Sequence, residues 1–111
     1  MESPKRRWKR FKVDIRVKLR RMEEPEEEAF VVRTFELSEG GMSVYAAETL
    51  EMGAPLLVEM ALSHGAEPMN IRAVVRNRRG FRCGMQFVDL SVADRHEIAR
   101  YLSALADVIE I

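Results

Sequence analysis

The stretch Phe11-Lys12-Val13-Asp14-Ile15-Arg16-Val17-Lys18-Leu19 decides the fold. Apolar residues fall on every second position, and charged residues lie between them. A period of two with β-branched side chains is the pattern of a strand with one face in a core and one in water. Beyond it, Glu23-Glu24-Pro25-Glu26-Glu27-Glu28 reads as a solvated loop. Phe30 to Leu37 is rich in Val, Phe and Thr and reads as a second strand. It runs into Ser38-Glu39-Gly40-Gly41, a tight turn whose two glycines permit positive φ. Met42 to Ala46 and Leu56 to Leu62 read as further strands. Met69 to Asn77 and Phe81 to Val88 form a hairpin that turns near Arg78-Arg79-Gly80. Six short strands at close intervals predict an antiparallel β-barrel.

One helix follows. Ser91 is a candidate N-cap, with Asp94 three residues on. Ile98, Leu102, Leu105 and Ile109 recur at spacings of three and four, which gives an apolar stripe for packing on the barrel or a partner. The polar face carries Arg95, Glu97, Arg100 and Asp107, without the basic bias of membrane-surface helices. The fold class is therefore all-β with one C-terminal helix.

The chain has 111 residues, enough for one domain, and its 47% hydrophobic content supports a real core. Its one cysteine, Cys83, cannot form an intrachain bridge, which suits a reducing compartment. No run of 18 apolar residues exists, so no membrane insertion is expected. Met1 to Arg10 is charged and lacks the apolar core of a secretory signal, so the expected location is the cytoplasm.

The net charge of +0 conceals an asymmetry. Residues 1–21 hold ten Lys/Arg against Glu2 and Asp14, while the rest of the chain holds eight against sixteen Asp/Glu. A uniformly basic protein would suggest bulk nucleic-acid binding through counterion release. A short basic arm on an acidic body points to a smaller, localised partner. The arm can also pair with the acidic loop, a contact worth about 0–1 kcal/mol per surface pair.

Catalysis and metal binding find little support. His64 lies in a polar turn and His96 on the helix, and neither has metal-ligand spacing or an HExxH context. No Gly-x-Ser-x-Gly or phosphate-loop pattern is present. Cys83, Met42, Met60 and Met85 read as core filling.

Two patches remain. The first is Lys5-Arg6-Arg7-Trp8-Lys9-Arg10-Phe11, where Arg6 and Arg10 form an Arg-x-x-x-Arg pair with Arg7 beside it. A guanidinium is a planar fork of donors that fits phosphate oxygens or the O6/N7 edge of guanine, and it also stacks on bases. Alone, the patch could equally be a solvated tail. The second is Glu36-Leu37-Ser38-Glu39-Gly40-Gly41. A carboxylate there can accept from guanine N1–H and N2–H, Ser38 offers a hydroxyl, and glycine admits a ligand close to the backbone. Alone, this stretch could be only a turn.

Taken together, an Arg-x-x-x-Arg before the first strand and an acid-x-Ser-x-x-Gly turn after the second resemble the PilZ family. The stretch from Arg33 to Val44 is similar to that family's central signature, and the hairpin from Gly80 to Leu90 followed by a helix is similar to its closing segment. The resemblance covers roughly residues 6 to 103. It implies a six-stranded antiparallel barrel from residue 12 to 111, preceded by a flexible basic arm over residues 1–11. It also implies a bacterial, non-catalytic receptor for cyclic di-GMP, needing no other cofactor, which acts on an unidentified downstream protein. Arg6, Arg7 and Arg10 would clamp phosphates and guanine faces on an arm that orders around the ligand. Ser38, Gly40 and Gly41 would lie against the dinucleotide, with Glu36 reading a guanine edge. The family usually has Asp or Asn at position 36, and Glu adds a methylene that moves the carboxylate by on the order of 1 Å. Two alternatives stand beside this reading. One is a degenerate interaction module of the same fold that binds no nucleotide. The other, less favoured, is nonspecific nucleic-acid binding by the arm with Trp8 as a stacking platform.

Overall fold

A computed structural model describes residues 8–63 and 65–109, the last three by backbone alone. The sequence readings at Arg6, Arg7 and His64, and the side chains of Asp107 and Ile109, lie outside the described residues. The elements are β1 (Phe11–Lys12), β2 (Arg16–Arg21), β3 (Phe30–Leu37), β4 (Gly41–Tyr45), β5 (Pro55–Met60), β6 (Met69–Arg79), β7 (Arg82–Val88) and α1 (Val92–Ile109). Antiparallel pairing runs β3-β2-β5-β6-β7-β4 and returns from β4 to β3, which closes a six-stranded barrel. The two-residue β1 pairs beside β2 along the same edge of β3.

The alternation read in Phe11–Leu19 holds side chain by side chain. Val13, Val17 and Leu19 are buried, Phe11 and Ile15 half-buried, and Lys12, Asp14, Arg16 and Lys18 exposed. The continuous strand expected there is instead split at residues 13–15. The cause is Thr34, a buried β3 residue 2% exposed. Its hydroxyl accepts from the Ile15 N–H at 3.0 Å and donates to the Val13 carbonyl, so a side chain replaces part of the strand ladder. Asp14 points outward, where Arg33 grips both of its carboxylate oxygens at 2.8 and 3.0 Å. The Arg33 hydrogen bond holds the Asp14 carboxyl below the usual carboxylate range. Thr34→Val keeps the volume but orphans a part-buried donor and a buried acceptor, so we expect it to destabilise the barrel by about 2 kcal/mol. Urea unfolding measures this directly. An unchanged midpoint would show that the Thr34 hydroxyl does not hold the split.

The core joins Leu19, Leu37, Val44, Leu56, Val58, Met60, Val75, Cys83 and Met85 from the strands with Ile98 and Leu102 from α1. Ile98 and Leu102 of the helix stripe are thus buried in the barrel core, with Leu105 packed at its margin. The Ser91 hydroxyl accepts the Asp94 N–H at 3.0 Å, the cap expected from sequence. Burial pushes the Cys83 thiol up, so it remains a protonated core group. At the acidic loop, Arg21 binds the Glu27 carboxylate at 2.8 Å and Arg20 donates to the Glu27 carbonyl at 2.7 Å. Among the described residues no helix is long and apolar enough to cross a membrane, and no cluster of His, Cys, Asp and Glu could hold a metal ion.

Candidate functional site

Two β-bulges place the site. In β3 the register against β4 shifts between Thr34 and Glu36, so Thr34 and Leu37 both face the core while Glu36 turns outward. In β6 the register against β7 shifts between Val75 and Asn77, which makes Arg76 the extra residue. A bulge re-aims side chains and bends its strand. Between these two bulges lie β4 and β7, and over them opens a cleft of about 220 Å³. Trp8, Arg10, Glu36, Gly40, Arg76 and Gln86 are among its lining residues.

The Ser38 turn forms one wall. The Ser38 hydroxyl accepts from the N–H groups of Gly40 and Gly41, both at 3.1 Å. The Ser38 N–H donates to the Gly41 carbonyl at 2.9 Å. A buried serine therefore fixes the turn from inside. Neither Gly40 nor Gly41 uses the left-handed region that glycine permits; among the described glycines positive φ occurs at Gly53, Gly65 and Gly80. What these two positions require is close approach. A Cβ on Gly41 would stand 2.1 Å from the Met85 carbonyl oxygen, and one on Gly40 would stand 2.2 Å from Trp8 Cδ1. The Gly40 carbonyl also accepts from the Phe87 N–H at 2.9 Å, which ties the turn to β7.

Charged groups face each other across the mouth. Arg10 Nη1 lies 3.7 Å from Glu36 Oε1, with side chains 38% and 24% exposed, so both remain reachable from solvent. On the far side Arg76 Nε donates to Gln86 Oε1 at 2.8 Å. Asn77 packs on Gly84, whose missing Cβ would lie 2.6 Å from the Asn77 amide. The cleft thus offers two guanidinium groups, a carboxylate, two amides and glycine backbone. Such a set suits a ligand with anionic oxygens and the polar edge of a base.

A family model for the PilZ domain matches residues 4–104. The chain belongs to the PilZ family. No curated protein sequence matches it. Solved PilZ structures share its fold at low identity. The PilZ domain with c-di-GMP of YcgR from Escherichia coli is 16% identical with a TM-score of 0.75, over 96% of this chain and 95% of that one. The PilZ domain of CeSA from a cellulose-synthesizing bacterium is 17% identical with a TM-score of 0.68, over 88% and 98%. The K. pneumonia MrkH–c-di-GMP complex is 17% identical with a TM-score of 0.75, over 97% of this chain but 55% of MrkH.

In this PilZ domain the cleft gathers five of the seven residues singled out from sequence: Arg10, Glu36, Ser38, Gly40 and Gly41. Sequence reading missed Arg76, Asn77 and Gln86, which reach the cleft from β6 and β7. Arg76 carries no distinctive signal in the sequence, because it falls on the outward position that the alternation of Ile71, Ala73 and Val75 leaves to polar residues.

Proposed function

We propose that this PilZ domain is a non-catalytic receptor for cyclic di-GMP. The observation that carries the reading is the convergence of Arg10, Glu36 and the Ser38–Gly41 turn on one cleft. In the free protein Arg10 and Glu36 neutralise each other. A dinucleotide offers each a better partner, phosphate for the guanidinium and guanine N1–H and N2–H for the carboxylate. Arg6 and Arg7 then close over the ligand from the arm. The ordered arm changes the surface presented to a downstream protein, and the ligand's preference for the closed state supplies the free energy.

Calorimetric titration with cyclic di-GMP tests the reading, and saturable binding is the expected result. Absence of heat at high micromolar ligand rejects it. Arg76→Ala is expected to weaken binding about 5- to 10-fold without abolishing it, as loss of one partly solvated contact of about 1 kcal/mol should. Unchanged affinity in that variant would remove Arg76 from the site.

The same ion pair favours a second reading, in which the site is closed on itself and the domain is only an interaction module. Glu36→Asp separates the two. If the shorter carboxylate creates nucleotide binding that the natural chain lacks, the receptor function has decayed here.

A further inference from the structure

We propose that Trp8 is a displaceable cover on the cleft, and that Arg95 carries its displacement to the first turn of α1. The proposal rests on the reading of the cleft as a dinucleotide site. The indole lies directly on glycine backbone, since a Cβ at Gly40 would stand 2.2 Å from Trp8 Cδ1 and 2.8 Å from Nε1. That bare backbone is the surface against which a flat ligand would settle. Two planar groups cannot share it, so a purine over Gly40 must move the indole.

Trp8 is also tied to the helix. The Arg95 guanidinium sits over the Trp8 ring, 5.1 Å from its centroid. Arg95 belongs to the first turn of α1, where its N–H donates to the Ser91 carbonyl at 2.9 Å and the Asp94 N–H donates to the Ser91 hydroxyl at 3.0 Å. Moving the indole takes away the ring beneath Arg95 and with it a tether between cleft and helix. Ile98 and Leu102 keep the following turns fixed in the core. The change is therefore confined to the first turn, whose outer side includes Val92, 74% exposed. A signal that begins at the cleft emerges on a surface with an apolar side chain available to a partner.

Trp8 is the chain's single tryptophan, so the indole fluorescence comes from this residue alone. Cyclic di-GMP is expected to shift its emission to longer wavelength and to speed hydrogen exchange at the Asp94 and Arg95 amides. Gly40→Ala should produce the same emission shift with no ligand, because the new methyl evicts the indole. Arg95→Ala should tighten cyclic di-GMP binding about 2- to 5-fold, the factor matching an exposed cation–π contact that holds the cover down. It should also abolish the ligand-dependent change in exchange at Asp94. Heat of binding with unchanged emission and exchange would overturn the cover while leaving the receptor standing. Weaker or unaltered binding in Arg95→Ala would do the same. Absence of heat would overturn the receptor reading and the cover with it.

Discussion

Replacing Arg10 by alanine is expected to lower cyclic di-GMP affinity by on the order of 100-fold, which removes measurable heat at micromolar ligand. Two effects add. The variant loses a guanidinium at the cleft mouth, where a charge-assisted hydrogen bond to phosphate contributes about 1.5–3 kcal/mol. It also leaves the Glu36 carboxylate, 3.7 Å away in the natural chain, without its counter-ion. That bare anion then opposes the approach of a ligand that carries two phosphates. Stability should barely move, because a partly exposed ion pair contributes about 0–1 kcal/mol. Equal melting temperatures therefore separate loss of the ligand contact from loss of the fold. Arg10→Lys keeps the charge and gives up the planar fork, so it should recover binding only in part. If Arg10→Ala binds as tightly as the natural chain, the cleft is not the dinucleotide site.

The barrel and half of its site are legible in the sequence for identifiable reasons. Alternation in Phe11–Leu19 is a local signal, and burial follows it at every residue. The break at residues 13–15 is not local, since it comes from a hydroxyl on Thr34 in the next strand. No pattern within 11–19 announces it. The two turn glycines show a different limit. Glycine serves both positive φ and close approach, and sequence alone does not say which. Here close approach is the need, at a backbone carbonyl for Gly41 and at an indole for Gly40. Arg76 and Gln86 come from strands beyond the two motifs, and barrel closure alone brings them beside Glu36 and Gly40.

Those neighbouring glycines should respond to alanine unequally. Gly41→Ala is expected to destabilise the domain by about 3 kcal/mol or more, a fall in melting temperature of about 12–24 °C. Its methyl would meet the Met85 carbonyl oxygen at 2.1 Å and the Met85 carbonyl carbon at 3.2 Å. Both atoms are backbone of β7, in the ladder where Gly41 faces Gln86 and Met42 faces Met85. Relief means prying β4 from β7, which opens the barrel beside the core residues Met42 and Val44. It would also strain the hydrogen bonds that join Gly41 to Ser38. Gly40→Ala meets a side chain instead, and a side chain can swing away, so its melting temperature should stay close to that of the natural chain. Thermal unfolding followed by circular dichroism distinguishes the two. A Gly41→Ala protein as stable as its Gly40→Ala counterpart would mean that β4 and β7 are not clamped at the turn, and the Ser38 wall of the cleft would lose its anchor on β7.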